Sequence, residues 1–279
     1  GPTIVNAVNT KYLSNLSSNK NLILCSDSTY AEKQGYTDSE STLTTNLKTI
    51  MRNAEGRVLV STFSSLLSRV QQIINISADL GRKVAVVGHS MIRNLNFALD
   101  AGYVIDPKNT LIALKESQKI SSNEIVLITT GAQGEVNSAM GLISSMSHSE
   151  VEIEKGDTIV ISSSPIPGNE VRYSHMINNL FRQGAEVLYQ GISLVHVHGH
   201  GSQNDLQRMI TLVKPKYFIP IHGETRHLVA HAKIAEKSGV EAQNIFLIED
   251  GCTVEICLLY TSDAADEGLG VDLGGRRII

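Results

Sequence analysis

The chain has 279 residues, 42% hydrophobic and 19% charged, enough for one large or two ordinary domains with a real core. A formal net charge of −4, 5% aromatic residues and no tryptophan supply neither an electrostatic footprint nor a stacking platform for nucleic acid, so such a partner requires a local basic groove. No apolar run is long enough to cross a bilayer, no signal peptide is expected, and Cys25, Cys252 and Cys257 are odd in number without zinc-like spacing, which suits a reducing cytoplasm.

Read in order, short β-branched runs alternate with longer amphipathic ones. NLILCSD (21–27) and RVLVSTF (57–63) are the first strands, and SLLSRVQQIINISADLG (65–81) is a helix closed by glycine. KVAVVG (83–88) leads into the helix MIRNLNFALDAG (91–102). EIVLITT (124–130) and DTIVISSS (157–164) are strands, followed by the helix EVRYSHMINNLFRQG (170–184) and the strand EVLYQ (186–190). The helix LQRMITLVK (206–214), the strand YFIPIH (217–222), the helix RHLVAHAKIAEKSG (226–239) and the strand NIFLIE (244–249) complete the pattern. The strands are apolar at consecutive positions, which means burial on both faces, so the fold class is α/β with parallel sheet flanked by helices. No composition shift marks a domain boundary.

Four strands end in small polar residues: SDST at 26–29, GHSM at 88–91, TTGAQGE at 129–135 and SSSPIPGNE at 162–170. In open α/β sheets this edge binds ligands, and helix amino termini there favour phosphate. Capping and turn formation account for any one such loop taken alone. No Walker loop or GxGxxG occurs, so a mononucleotide cofactor is not indicated.

VHVHGHG (195–201) alternates two valines with His196 and His198 and adds His200 between two glycines, placing the imidazoles on one side of an extended segment. Twenty-two residues after His200, PIHGE sets His222 just past an apolar strand. Both clusters end strands and can meet at one rim, where imidazole serves as metal ligand or acid/base. His227 and His231, four apart on a helix rich in Lys, Glu and Ala, are expected on an exposed face, and His89, His148 and His175 at turns or surface.

Taken together, SDST, RVQQ, GRKVAVVGHSM, TTGAQGE, GDTIVISSSPIPGNE, HGHGSQ and KPKYFIPIHGE, in this order, resemble the ribonuclease J family, over roughly residues 20–256. The resemblance implies part of a metallo-β-lactamase αββα domain carrying an inserted β-CASP domain. The parts would be residues 1–33 as the end of a first lactamase segment, 34–191 as the insertion and 192–256 as the returning segment. It implies a cytoplasmic, metal-dependent nuclease with two divalent ions, usually zinc. Its substrate would be single-stranded, 5′-monophosphorylated RNA, cut internally and from the 5′ end, and the whole protein could self-associate.

By the same resemblance Asp27 hydrogen-bonds the histidine of a second motif, His200, which contacts the scissile phosphate and protonates the leaving oxygen; His222 ligates metal. Ser64, Ser65, Arg69, His198, Gly201 and Ser202 are expected to grip the RNA backbone, His196 to line the cleft, and Asn169 to contact it from a rigid turn. The family's HxHxDH motif occurs nowhere in these residues, so it is expected upstream and this chain alone is expected to be inactive. Residues 257–279 resemble a translated sequencing adapter; without Asp263, Asp266, Glu267, Asp272, Arg276 and Arg277 the net charge goes from −4 to −2. Two alternatives stand beside this reading: a non-catalytic RNA-binding module, and a β-CASP nuclease acting on DNA.

Overall fold

A computed structural model describes residues 23–166, 168–255 and 276–278. The expectations for residues 1–22, and for the tail apart from 276–278, lie outside the described residues. The described chain forms two compact units, one within Thr37–Gly199, the other made of residues 23–36 with the chain from His200 onward.

The first unit is built on a five-stranded parallel sheet. Its strands are β2 (Val58–Ser61), β3 (Lys83–Val87), β4 (Ile125–Thr129), β5 (Thr158–Ile161) and β6 (Glu186–Tyr189), in the order β3-β4-β2-β5-β6. All four residues of β2 and of β5 and all five of β4 are buried, as consecutive apolar positions require when helices cover both faces. Helices α1 (Glu40–Asn53), α2 (Leu67–Leu80) and α3 (His89–Asp100) cover one face, packing Leu43, Leu47, Ile73, Met91 and Leu95 against Val58, Val60 and Val126. Helices α4 (Ala139–Ser144) and α5 (Glu170–Arg182) cover the other, with Met140, Ile143, Met176 and Leu180 against Leu59, Leu127 and Ile159.

Helix α1 was not legible in the sequence. Its apolar stripe is narrow, Leu43, Leu47 and Met51 on a segment otherwise rich in Thr, Ser and Asn, and Ser39 caps it by accepting from the Ser41 amide. The end of α2 is as read: Gly81, at φ +72°, takes the left-handed conformation that closes the helix.

In the second unit, β1 (Ile23–Asp27) pairs in parallel with β7 (Tyr217–Ile221), from Ile23 opposite Tyr217 to Asp27 opposite Ile221. Helices α6 (Gln203–Val213) and α7 (Thr225–Lys237) pack Ile210 and Ala235 on Phe218, while Tyr217 and Ile219 meet Phe246. NIFLIE is not a strand: a single bridge joins Ile245 to Phe218, and the backbone beyond it runs without ladder bonds. In the tail, β9 (Arg276–Ile278) pairs in parallel with β8 (Thr253–Glu255).

Candidate metal centre

The β1–β7 register decides the site. Asp27 ends β1 opposite Ile221, so the residues that follow, Ser28 and His222, emerge side by side although nearly two hundred residues separate them in the sequence. The Ser28 amide donates to the Ile221 carbonyl at 2.9 Å, continuing the ladder one step past the strands. His222 then turns out at φ +54°, a left-handed conformation rarely taken by a residue with a side chain and found where a functional group must be aimed. Gly223 comes next because α7 leaves no room: a Cβ there would lie 3.0 Å from that of His227.

His200 reaches the same rim from the segment ahead of α6. The Gln203 amide donates to the Lys33 carbonyl at 2.9 Å, its Nε2 to the Ala31 carbonyl at 3.0 Å, and the Asn204 amide to the Gly35 carbonyl at 3.0 Å, tying this segment to the loop after β1. His200 Nδ1 donates to Asp27 Oδ2 at 2.5 Å. The two imidazoles stack with centroids 5.4 Å apart, and Tyr30 lies 5.6 Å from His200.

Thr29, which the sequence reading missed, is the hub. Its amide donates to Asp27 Oδ1 at 2.9 Å, an Asx turn legible in the SDST motif, and its hydroxyl stands 2.9 Å from Asp27 Oδ1 and 2.9 Å from His222 Nδ1. A hydroxyl has one proton. Donated to the carboxylate, it leaves the oxygen to receive Nδ1–H of His222, so Nε2 of that ring carries the outward lone pair. Desolvation opposes ionisation of Asp27, but the hydrogen bonds from His200 and Thr29 outweigh it and hold its pKa down at about 2.

These residues fit a metal in part. One ligating atom from each of Asp27, His200 and His222 lies within 4.8 Å of the others, the sole such cluster among the described residues. The carboxylate and the His200 Nδ1 satisfy each other, which leaves His222, its side chain 67% exposed, as the donor able to take an ion through Nε2.

The remaining site expectations divide. Arg69 cannot grip RNA: it is fully buried, and its guanidinium donates to Glu40 at 2.5 Å, to the Val195 carbonyl at 3.2 Å and to Ser162. It is a strut that pins α1 and the VHVH segment to the sheet. Ser202 is likewise buried, ahead of α6, its amide donating to Asp205 at 3.2 Å; Gly201 packs on Asp205 and Leu206. Ser64 is half-buried and Ser65 exposed between β2 and α2. The alternation in VHVHGH holds in burial, with Val195 and Val197 in the core of the first unit and His196 and His198 half-buried, but in irregular backbone. Asn169 stands half-buried just ahead of α5.

His231 is corrected outright. Expected on a solvent face, it is completely buried, its ring edge-on to Phe218 and its Nδ1 3.0 Å from the Ser28 hydroxyl. Desolvation pushes its pKa down to about 4, and the same cause gives His196 a value of about 4.

The family description "Ribonuclease J, beta-CASP domain" matches residues 55–180, within the first unit, and "Zn-dependent metallo-hydrolase RNA specificity domain" matches residues 184–245, which hold His200 and His222. The chain carries a ribonuclease J β-CASP domain. It is 42% identical over 235 residues to "Ribonuclease J" of Helicobacter pylori, covering 84% of this chain and 34% of that protein. It is 42% identical over 234 residues to "Ribonuclease J2" of Bacillus subtilis (84% and 42%), and 37% identical over 244 residues to "Ribonuclease J 1" of Streptococcus pyogenes (88% and 43%). The chain thus spans about a third to two fifths of the curated relatives it matches. No described helix is long and apolar enough to cross a membrane.

Proposed function

We propose that this chain is the RNA-gripping and part of the catalytic portion of a zinc-dependent, cytoplasmic ribonuclease that hydrolyses phosphodiester bonds of single-stranded RNA, from a 5′-monophosphate end and internally. What supports the reading is the clustering of Asp27, His200 and His222 at one rim, in a chain whose relatives bear the name ribonuclease J.

Phosphodiester hydrolysis needs an activated water, neutralised phosphate charge and a proton for the departing 3′ oxygen. A divalent metal at the site would supply the first two. His222 would hold it through Nε2, its ring fixed by Thr29. His200, its ring oriented by the Nδ1–H bond to ionised Asp27, presents Nε2 to the departing oxygen as the proton donor. A catalytic zinc takes three protein ligands, and HxHxDH is absent from the 279 residues, so the chain by itself binds RNA without cutting it.

The test is a chimera in which this chain replaces the matching 235 residues of the Helicobacter pylori relative. Cleavage of 5′-monophosphorylated RNA is expected, abolished by chelator and by His222→Ala. Cleavage that survives either treatment refutes the reading.

A further inference from the structure

His231 is a polar residue on an apolar face. It lies with Ala235 on the buried side of α7, against β7, where its ring stands edge-on to Phe218 with centroids 4.9 Å apart. Its Nδ1 is 3.0 Å from the hydroxyl of Ser28, itself fully buried, and its Nε2 has no hydrogen-bond partner among the described residues. An apolar side chain in this place would fill the space without leaving a nitrogen unpaired, so burial alone does not account for an imidazole here.

The ring carries one proton at neutral pH, because burial holds its pKa at about 4. The Ser28 hydroxyl donates to the Ser26 carbonyl at 3.4 Å, which leaves its oxygen to accept. Nδ1–H of His231 is therefore the donor to Ser28, and the unpaired Nε2 keeps a lone pair rather than a stranded N–H.

Ser28 lies between two residues that shape the site. Asp27 before it accepts from His200, and Thr29 after it receives Nδ1–H of His222. The Ser28 amide closes the β1–β7 ladder, donating to the Ile221 carbonyl at 2.9 Å and more weakly to that of His222 at 3.4 Å. Past this point side chains hold the turn, the Thr29 hydroxyl to His222 and the Ser28 hydroxyl to His231. Helix α7 starts at Thr225, with Gly223 and Glu224 between it and His222, and His231 lies about two turns in. One rigid helix thus leads from the first of these imidazoles and carries the second, so the placing of Thr29 against His222 is fixed at two points.

We propose that His231 is a positioning residue of the candidate metal centre: its Nδ1–H bond to Ser28 holds the Thr29 hydroxyl where it receives Nδ1–H of His222, and so keeps Nε2 of His222 as the lone pair that faces a divalent ion. This role rests on the ribonuclease reading of the site. Without the bond the turn shifts, and solvent instead of Thr29 decides which nitrogen of His222 carries the proton.

Imidazole nitrogen-15 shifts of the whole chain at about pH 8, above the ordinary imidazole range, report which nitrogen of each ring is protonated. The parent is compared with His231→Phe, which fills the space without a donor, with His231→Asn, whose amide donates to Ser28 from near the position of Nδ1, and with Ser28→Ala. His222 is expected to be protonated at Nδ1 in the parent and in His231→Asn, and to be a mixture of tautomers in His231→Phe and Ser28→Ala. Thermal unfolding separates positioning from stability: His231→Asn leaves a cavity and is expected to be the less stable of the two His231 variants, although it keeps the donor. In the chimera with the Helicobacter pylori relative, kcat is expected to fall about tenfold or more for His231→Phe with KM little changed, and to recover in His231→Asn. A His222 tautomer that stays at Nδ1–H in His231→Phe and Ser28→Ala, or that follows stability rather than the donor, overturns the proposal. Nε2–H on His222 in the parent does so too, as does a kcat as low in His231→Asn as in His231→Phe. Should His231→Phe fail to fold, Ser28→Ala and His231→Asn decide between them. If the parent chimera leaves RNA uncut, the ribonuclease reading fails, while the tautomers still decide the role of His231.

Discussion

Replacing Arg69 by methionine separates a buried strut from a substrate contact. The guanidinium is fully buried and serves Glu40, Ser162 and the Val195 carbonyl, so the substitution leaves the carboxylate and the hydroxyl oxygen without that donor, while the carbonyl keeps the Ser162 hydroxyl at 2.7 Å and most of the apolar volume is retained. Removing one partner of a buried ion pair costs about 3–5 kcal/mol. Glu40 retains 21% exposure and recovers some hydration, which places this case near the lower end, about 3 kcal/mol. For a unit of this size that lowers the unfolding temperature by about 6–12 °C. Thermal and urea unfolding of the parent and of Arg69→Met measure it, and adding Glu40→Gln to Arg69→Met should return part of the loss, because the stranded charge is then gone. A loss below about 1 kcal/mol, together with weakened RNA binding, would show that the side chain faces substrate and would refute the strut.

Acid should destabilise the second unit through His231, whose pKa is pushed down to about 4 from an ordinary 6.5. Between those values the unfolded chain holds a proton that the folded one rejects. Stability is therefore complete above pH 6.5 and drains away as pH falls towards 4, by about 3 kcal/mol in full. Urea midpoints across that range should fall less for His231→Phe than for the parent, and equal slopes would remove His231 as the cause. Asp27→Asn in the chimera should lower kcat/KM by about 100-fold or more, since a neutral amide holds the His200 Nδ1–H less firmly than the carboxylate does; steady-state kinetics on 5′-monophosphorylated RNA give the value. Gly223→Ala forces a Cβ to within 3.0 Å of that of His227 and should cost about 1–3 kcal/mol while displacing His222, read by calorimetry and by zinc affinity of the chimera.

The sheet of the first unit is plain in the sequence because every one of its strands is apolar at consecutive positions, a consequence of helices on both sides. The strand ends were legible too, since small polar residues must follow where the backbone turns into a helix. NIFLIE carries the same apolar signal and yet makes a single bridge, to Phe218 on the free edge of β7, so the apolar run by itself does not establish a ladder. Helix α1 escaped notice because three apolar residues on a Thr-rich segment become a stripe only when a sheet face lies opposite.

Residue types and their order thus determined the fold class, the phosphate-favouring edge and the histidines worth watching, all of which are local properties of short segments. Tertiary structure alone decided which of them meet. Asp27 and His222 stand together through the register of two strands nearly two hundred residues apart in sequence, and Thr29 joins them through a hydroxyl that no spacing rule singles out. Arg69 and His231 look like solvated polar residues in sequence, and they are buried because Glu40, Ser162 and Ser28, brought from distant segments, supply the hydrogen bonds that water would otherwise provide.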